Sequence, residues 1–555
     1  MSRLAFFHFS ILSFLLAGAE AQTAPDVPRL VVNVVIDQLR TDYMEAFSPR
    51  YGEDGFRRLL GKGRVYSRAE YPFYNPDRAS AVACLMSGAT PYENGIVGKR
   101  WLNRSTLQPV VAVDDRAYEG HFTSEKTSPA GLGVSTITDE LKVSTGGKAL
   151  VYGIAPNREA AVLGAGHAAD CAFWLNDETG QWCTTSYYDI PNWLSYYNNA
   201  GHAAAEIESL TWEPTSNFVG DFNYFLSGGT KKPFRHAFKG DRRFRQFKAS
   251  ALVNEEVNDF VDYCLRSTAL GLDPVTDFLT VTFYAGNFDH KTVADYPMEM
   301  QDTYVRLDHQ LGRLIDMVEQ KVGHDHVLFV VTGTGYSDTD QTPADLSSYR
   351  IPTGEFNITR AQLLLNMYLT AVYGQGQYIE ASMANQLYFD LKYIENRGIN
   401  FSDLLERSAN FLIQLSGVRD VYTSQRLTQG AWTAGIRNLR NAYNPKCSGD
   451  ILILVSPGWH LVNEQTNERY HQRESYMGFP LFFYGLDIEP EVVKEPVTVD
   501  RIAPTLAQFM RIRAPNACSV SPLTGVRYIK GRKDAVSLSY SIDRIKNIAS
   551  LTFKT

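Results

Sequence analysis

Six short runs of uninterrupted apolar residues are spaced along the chain. Such runs are typical of strands that are covered on both faces of a sheet, whereas a half-exposed strand alternates apolar with polar residues. The runs are RLVVNVVID (29–37), ALVYGIA (149–155), FLTVTFY (278–284), HVLFVVTG (326–333), DILILVS (450–456) and FPLFFYG (479–485). We predict that all six are central strands.

Helical patterns lie between several of these runs. They are DGFRRLLGKG (54–63), ASAVACLMSG (79–88) and MQDTYVRLDHQLGRLIDMVEQKV (300–322). The last has apolar residues at helical spacing over about six turns. Alternation of strand and helix predicts an α/β fold, a three-layer sandwich with a largely parallel central sheet.

Two segments depart from this alternation. Residues 338–449 mix helices with short strands, which we interpret as a cap inserted into an α/β domain spanning 28–525. Residues 526–555 form a C-terminal tail, in which AVSLSYSI (535–542) alternates apolar residues with serines and predicts a half-exposed strand.

The first 21 residues have the pattern of a secretory signal peptide. Arg3 precedes an apolar run from Leu4 to Leu16, and an A-x-A sequence ends at Ala21. We therefore expect export to the periplasm or the extracellular face of the envelope, with no transmembrane segment after cleavage. The alternative is an N-terminal anchor that is never cleaved.

Export makes disulfides possible for the six cysteines. Cys171 and Cys183 flank a hairpin-like segment with the turn NDETG, so we favour their pairing. Cys84 lies in an apolar helical run and is expected to be a buried free thiol. The net charge of −7 provides no basic stripe, which argues against a nucleic-acid partner.

Candidate chemistry is expected just after each predicted strand, because open parallel sheets bind ligands at the carboxyl ends of their strands. Asp37 ends the first run, and a buried carboxylate must be paired or bind a cation. The alternative for Asp37 is a structural helix cap. The corresponding turn TGTGY (332–336) contains no carboxylate, imidazole or thiol.

Ordered motifs between residues 28 and 525 carry a family resemblance. They include VVNVVIDQLRTDY, CLMSGATPYENGIVG, GAGHAADCAFWLNDETGQW, EMQDTYVRLDHQLGRLID, YNPKCSGDILILVSPGW and VTVDRIAPTLAQFMRIRAPNA. The chain resembles the alkaline phosphatase superfamily, and within it the bacterial single-chain alkaline phosphatases close to the type I phosphodiesterase/nucleotide pyrophosphatase branch.

The resemblance implies two zinc ions, held by carboxylates and histidines, and a Thr or Ser nucleophile. Asp37 matches a ligand position, whereas the other five ligand positions have lost their chemistry. These are Asn287, Lys291, Thr334, Gly335 and Gly478. Arg78 stands at the nucleophile position, and Ser80 is a fallback if the turn is shifted. We expect the zinc ions to be lost, with Arg78 and Lys291 supplying positive charge near Asp37.

Phosphate-contacting positions are also altered. Lys99 replaces an asparagine of the family, and of a Lys-x-Arg pair only Arg158 remains, with Pro156 at the lysine position. Lys99 and Arg158 are candidate anion-binding residues, with Arg78 as a third. The alternative is internal salt bridging to Asp37, Asp77 or Asp289.

A relocated metal site is a further alternative. It would need several neighbouring side chains to converge, whereas isolated histidines are far more often structural or surface groups. The candidates for it are His167, Asp289, His290, His460 and His471.

We therefore predict an exported, catalytically inactive protein that binds or scaffolds another cell-envelope protein through its cap and tail. One alternative is an active metal-dependent phosphomonoesterase or phosphodiesterase with a rearranged site. Another is a metal-free phosphate or nucleotide sensor using Lys99 and Arg158.

Overall fold

The computed structural model describes residues 27–200, 204–215, 234–291, 295–337, 352–430, 433–470, 477–486 and 488–526, and the backbone of two terminal strands. The strands are β1 Leu30–Asp37, β2 Arg64–Glu70, β3 Arg100–Asn103, β4 Gln108–Val111, β5 Gly120–His121, β6 Val151–Ala155, β7 Cys171–Leu175, β8 Trp182–Thr185, β9 Thr211–Trp212, β10 His236–Ala237, β11 Asp277–Tyr284, β12 Val327–Gly333, β13 Gly354–Asn357, β14 Ile379–Met383, β15 Gln386–Phe389, β16 Val418–Thr423, β17 Ile451–Val455, β18 Trp459–Asn463, β19 Glu468–Tyr470, β20 Phe479–Gly485, β21 Glu491–Val493, β22 Val497–Thr498, β23 Ser537–Asp543 and β24 Ile548–Lys554.

The α-helices are α1 Thr41–Phe47, α2 Phe56–Lys62, α3 Arg78–Ser87, α4 Pro91–Asn94, α5 Ile137–Ser144, α6 Arg158–Ala165, α7 Asn192–Asn199, α8 Ala204–Ser209, α9 Arg243–Lys248, α10 Val253–Ser267, α11 Pro297–Val322, α12 Ile358–Tyr373, α13 Leu391–Asn396, α14 Phe401–Leu412, α15 Ser424–Gln429, α16 Ala434–Asn441 and α17 Ile502–Met510. Short 3₁₀ helices cover Ser48–Arg50, Phe288–His290, His324–His326 and Val499–Arg501.

The main sheet has the strand order β21-β2-β20-β12-β1-β11-β6-β7-β8-β5, with β22 beside β2. Its five central strands, from β12 to β7, run parallel, whereas β20 and β8 pair antiparallel with the strands that flank this centre. All eight residues of β1 are buried, because helices cover both faces of the sheet. The predicted α/β fold with a largely parallel sheet is confirmed.

The helices that cover the main sheet pack in two groups. Helices α3, α5, α6 and α17 contact one another, with α6 against β6, β7 and β11. Helices α1, α2, α10 and α11 form the second group, in which α10 lies against β11 and α11 against β12. The first group places the N-termini of α3 and α6 at the carboxyl edge of the sheet, where the site is built.

A second, smaller sheet has the order β14-β15-β17-β16 and its own hydrophobic cluster, to which α12 and α14 contribute. We call residues 354–470, which build it, the small unit. The prediction that residues 450–456 form a central strand of the main sheet is wrong. They form β17, which lies antiparallel between β15 and β16. An apolar run reports burial but not which sheet covers it.

The hairpin predicted around Cys171 and Cys183 is present as β7 and β8, but the expected disulfide is not. Cys183 lies opposite Trp174, three residues beyond Cys171, so the two thiols point to opposite faces of the sheet. Cys171 Sγ lies 3.3 Å from Thr184 Oγ1, and Cys183 Sγ donates to the Trp174 carbonyl. Cys84 is a buried free thiol, as expected.

The strand predicted at 535–542 corresponds to β23, which pairs antiparallel with β24. The predicted signal peptide and the start of the predicted cap, residues 338–351, lie outside the described residues. Over the described part of the chain, no helix is long and apolar enough to cross a bilayer.

Candidate functional site

The carboxyl ends of β11, β1 and β12 meet at one edge of the main sheet. The register sets Asp37 beside Tyr284 and Ile36 beside Gly333, so the residues that follow these strands share this edge. Thr334, directly after β12, donates from Oγ1 to Asp37 Oδ1 at 3.0 Å and accepts from the Gln38 backbone at 2.9 Å. One oxygen of the buried Asp37 carboxylate is therefore bound by a neutral hydroxyl.

The other oxygen of Asp37 is bound by Arg78, the first residue of α3. Arg78 Nε and Nη2 lie 2.8 and 2.7 Å from Asp37 Oδ2, and Nη1 lies 3.2 Å from Glu159 Oε1. The arginine is almost completely buried. Burial alone would lower the pKa of Arg78, but the charges of Asp37 and Glu159 and the hydrogen bonding to Asp37 act together to raise it, so the guanidinium is a fixed positive charge in the site.

Glu159 extends this ion-pair network to the surface. Its Oε1 is also 3.2 Å from Nζ of Lys99, a residue whose side chain is half exposed. Burial alone would raise the pKa of Glu159, but the charges of Lys99 and Arg78 lower it to about 2. The two negative charges of Asp37 and Glu159 are thus balanced by the two positive charges of Arg78 and Lys99. The sequence analysis missed Glu159; the available signal was an acidic residue in the first turn of a predominantly apolar helix.

The positions predicted from the resemblance to correspond to metal ligands do not supply a ligand set. Asn287 Oδ1 accepts from the Phe288 backbone and so begins a short 3₁₀ helix. The Gly478 carbonyl accepts from the Thr41 backbone. Gly335 adopts a φ of +70°, and a Cβ there would lie 2.5 Å from Cδ2 of Tyr71. A larger side chain at 335 is therefore excluded by the ring of Tyr71.

Lys291 does not supply the charge expected of it. Its side chain is exposed and has no ion pair with any described residue. The expectation that Arg78 and Lys291 together replace the metal charge is therefore corrected: among the residues described, Arg78 alone pairs with Asp37.

The donor set at this edge does not fit two divalent cations. Both oxygens of Asp37 have partners, and Thr334 is neutral. The positively charged guanidinium of Arg78 already occupies the position beside Oδ2 that a bound cation would need. No group of three His, Cys, Asp or Glu side chains with metal-binding geometry occurs within the described residues.

The fallback nucleophile Ser80 belongs to a helix cap. Its backbone N–H and its Oγ both lie 2.9 Å from Asp77 Oδ1, and the Asp77 backbone donates back to Oγ at 3.0 Å. This is a capping box at the start of α3. Ser80 is buried and its hydroxyl is engaged there, so the turn shift that would make it a nucleophile is not present.

The candidate anion-binding residues Lys99 and Arg158 lie in different ion-pair groups. Lys99 contacts Glu159, whereas Arg158 contacts Asp114 at 2.9 Å, Glu125 at 3.5 Å and Thr127 Oγ1 at 3.0 Å. Internal salt bridging was the expected alternative. Arg78 does pair with Asp37, one of the three aspartates proposed from the sequence, whereas the side chains of Lys99 and Arg158 pair with other acids.

The candidates for a relocated metal site have other partners or positions. His167 Nδ1 lies 2.9 Å from Asp139, a hydrogen bond that raises the pKa of His167, and Nε2 lies 2.9 Å from the Leu132 carbonyl. Asp289 pairs with Arg242 at 3.0 Å. His290 is 3.5 Å from the Tyr284 hydroxyl, His460 lies on β18, and His471 is outside the described residues.

Comparisons with known proteins agree with this fold. The model of the family described as type I phosphodiesterase / nucleotide pyrophosphatase matches residues 31–477. The chain is similar to alkaline phosphatase PafA of Elizabethkingia meningoseptica, with 26% identity over 530 residues that cover 92% of this chain and 96% of that protein. It is also similar to alkaline phosphatase PhoV of Synechococcus elongatus, with 25% identity over 513 residues that cover 88% and 91%.

Solved structures give the same picture. The crystal structure of wild-type PafA matches with a TM-score of 0.79 at 25% identity and covers 91% of this chain and 100% of that one. Murine ectonucleotide pyrophosphatase / phosphodiesterase 5 matches with a TM-score of 0.50 at 12% identity and covers 87% and 95%, which is a likeness of fold alone.

Proposed function

Because the chain belongs to the type I phosphodiesterase/nucleotide pyrophosphatase family, we propose that it is an exported, catalytically inactive member of that family. In this proposal it holds no zinc and serves as a binding or scaffolding component of the cell envelope. The observation that carries the proposal is the buried ion pair between Arg78 and Asp37.

Two-metal catalysis of phosphoryl transfer uses cationic charge that is free to hold phosphoryl oxygens. The cationic charge at this edge is already balanced by the chain, since Arg78 faces Asp37 and Glu159, and Lys99 faces Glu159. A substrate phosphate would have to displace these carboxylates from a buried network. Breaking a buried ion pair in this way costs about 3–5 kcal/mol.

The names of the relatives favour a second function, a metal-dependent phosphomonoesterase or phosphodiesterase with a rearranged site. PafA and PhoV are both named alkaline phosphatases. This function requires a nucleophile and a metal site, and Ser80 would have to leave its hydrogen bonds with Asp77 to act.

One experiment decides between the two functions. The purified chain is dialysed into zinc-containing buffer and desalted, and its metal content is measured by mass spectrometry alongside hydrolysis of p-nitrophenyl phosphate and bis(p-nitrophenyl) phosphate. We expect near-zero zinc and no turnover. Zinc bound at one or two ions per chain, with turnover that Ser80→Ala or Asp37→Asn abolishes, would replace the proposal by the hydrolase.

The partner in this proposal is another cell-envelope protein, contacted through the predicted cap (338–449) and the tail (526–555). The test is affinity purification of the full chain and of a chain lacking 526–555, with the exposed face of the cap mutated in a third sample. A partner set that is identical in all three samples would contradict these contact surfaces.

A further inference from the structure

A cavity of about 300 Å³ lies between the main domain and the small unit. Residues of β3 and of the turn before it line one side, and residues of the β14–β15 hairpin and β19 line the other. The residues used below are Asp77, Arg100, Trp101, Gln386 and Arg469. We infer that this cavity binds a sugar-sized ligand that carries one acidic group, a carboxylate or a phosphate.

Two hydrogen-bond donors that line the cavity are not used by the described part of the chain. The indole N–H of Trp101 and the Nε2 amide of Gln386 have no partner among the residues that the structure describes, while Gln386 Oε1 accepts from the Gly449 backbone at 2.6 Å. Unpaired donors beside a cavity favour a ligand rich in oxygen acceptors, and they disfavour an apolar ligand.

The two arginines add positive charge at the rim. Arg100 Nη1 lies 3.0 Å from Glu468 Oε1, and Arg469 pairs with Glu355. All four side chains are about half exposed, so each ion pair is weak and each guanidinium keeps donors for a further anion. Guanidinium groups suit both carboxylate and phosphate, which is the acidic chemistry shared by the two ligand sources.

The single carboxylate among these lining residues does not oppose this assignment. Asp77 already accepts from the Ser80 backbone and hydroxyl at 2.9 Å and from the Lys99 backbone at 2.5 Å. Three acceptor positions of its carboxylate are therefore used inside the chain, so it does not depend on a cation or donor from a ligand. What the cavity can still offer a ligand is therefore its free hydrogen-bond donors and the half-exposed guanidinium groups.

The volume of the cavity favours an organic ligand that carries the acidic group over a simple inorganic anion. A volume near 300 Å³ is the lower end of the range for small-molecule sites and is far larger than inorganic phosphate needs. Trp101, a lining residue, combines an apolar ring with a polar N–H, and this combination suits a sugar, which has apolar C–H faces between its hydroxyl groups. The inference goes beyond the proposed function, because it adds a small-molecule site to a chain whose proposed partner is another protein.

The test is a titration of the full chain, followed by tryptophan fluorescence and by calorimetry. The probes are glucuronate and glucose 6-phosphate, with glucose and inorganic phosphate as controls. We expect saturable binding of at least one acid, and at least about tenfold weaker binding in Arg100→Ala and in Arg469→Ala, because each removes a charge-assisted contact.

Arg360→Ala is the matched control. Arg360 is an exposed arginine of the small unit that pairs with Glu464, but it does not line the cavity. This variant should bind as the original chain does. The inference is overturned if neither acid binds, if the double variant Arg100→Ala/Arg469→Ala binds unchanged, or if inorganic phosphate binds as tightly as glucose 6-phosphate.

The two probes also separate this inference from the proposed function. Glucuronate contains no phosphate ester, so its binding reports on the cavity whether or not the chain hydrolyses phosphate esters. Hydrolysis of glucose 6-phosphate together with glucuronate binding would overturn the proposed inactivity and leave the cavity assignment in place. Absence of hydrolysis with no binding of either acid would overturn the cavity assignment and leave the proposed inactivity in place.

Discussion

Arg78 Nε and Nη2 lie 2.8 and 2.7 Å from a single carboxylate oxygen of Asp37. The second oxygen of Asp37 accepts from Thr334. A carboxylate at the end of a buried strand needs compensation for its lost hydration, and here the compensation comes from a guanidinium of the same chain. The chemistry of this edge therefore depends on whether Arg78 stays in place.

Arg78→Met should destabilise the protein strongly. The change leaves Asp37 without its counterion and removes one of the two counterions of Glu159, and breaking a buried ion pair from one side costs about 3–5 kcal/mol. The measurement is the free energy of unfolding from urea denaturation at neutral pH.

The matched control for Arg78 is Arg57→Met. Arg57 pairs with Glu53, but the two side chains are 41% and 81% exposed, so the expected loss is below about 1 kcal/mol. Adding Asp37→Asn to Arg78→Met should recover part of the lost stability, because the amide is neutral. Equal losses at Arg78 and Arg57 would mean that the buried network does not stabilise the fold.

Glu159 should give the protein a stability that depends on acidity. Its pKa in the folded chain, about 2, is below the ordinary value of 4.5, so ionised Glu159 favours the folded state. The contribution, about 3 kcal/mol, is complete above pH 4.5 and is lost as the pH falls towards 2. Glu159→Gln should therefore be less stable at neutral pH and lose less stability on acidification. Urea denaturation between pH 3 and 7 measures this, and parallel curves for the two proteins would contradict it.

The sequence predicted most of the main sheet because continuous apolar runs report burial on both faces. Residues 29–37 and 326–333 became β1 and β12, the two strands that deliver Asp37 and Thr334 to the same edge. The same reasoning misplaced residues 450–456, since β17 is equally apolar but is covered by the helices of the small unit. Local pattern contains no information about the partner strand.

The parts of the site that depend on neighbouring residues in the sequence could be predicted, whereas contacts between residues distant in the sequence could not. Asp37 ends a predicted strand, so local pattern placed it, whereas Arg78 was placed near it only by the family resemblance. Glu159 was missed because it lies 81 residues from Arg78 and depends on how α6 packs beside α3. Lys291 was expected nearby from its position after β11, but the backbone turns at Phe288–His290 and leaves its side chain exposed.

Glu256 should make the protein less stable as the pH rises, which is the opposite of the effect expected for Glu159. Burial raises its pKa to about 7, although Trp182 Nε1 at 2.7 Å and the Tyr197 hydroxyl at 3.0 Å both donate to its Oε1. A folded pKa above the unfolded value of 4.5 means that the protonated form favours folding, so this contribution is complete below pH 4.5 and is lost as the pH rises through 7.

Glu256→Gln should remove that loss. The glutamine keeps a carbonyl oxygen for both donors and has no charge to bury. The free energy of unfolding of the variant should therefore be about 3 kcal/mol higher than that of the original chain at pH 8 and equal to it near pH 4. Unfolding free energies at the two pH values measure the difference. A variant that is less stable at pH 8 would show that Glu256 is ionised in a favourable site.

The six cysteines should behave as free thiols. Four are buried, and burial raises the pKa values of Cys171 and Cys183, whereas Cys447 and Cys518 are partly exposed. A thiol reagent should therefore label at most two cysteines in the folded protein and all six in denaturant without a reductant, counted by mass spectrometry. Fewer than six labels in denaturant would reveal a disulfide, and a Cys171–Cys183 peptide would require β7 and β8 to change register.

Gly335 should tolerate no side chain, for two separable reasons. Its φ of +70° is costly for any L residue, by about 1–2 kcal/mol, and a Cβ would lie 2.5 Å from Tyr71 Cδ2 and 3.0 Å from Phe479 Cε1. Gly146 shares the first reason only, because its φ is +61° and no atom lies within 4 Å of its Cβ position. Gly146→Ala should therefore cost about 1 kcal/mol and Gly335→Ala at least about 3 kcal/mol.

A double-mutant cycle isolates the ring contact at Gly335. Tyr71 is buried, and its hydroxyl donates to the Gly333 carbonyl at 3.0 Å, so its ring cannot swing aside without losing that bond. In a Tyr71→Ala background, Gly335→Ala should cost clearly less than in the original chain, and the excess over Gly146→Ala that remains comes from the 3.0 Å contact with Phe479. An unchanged cost in that background would mean that the ring of Tyr71 does not cause the strain. The expected result would mean that a histidine introduced at 335 has to displace Tyr71 before it can approach Asp37.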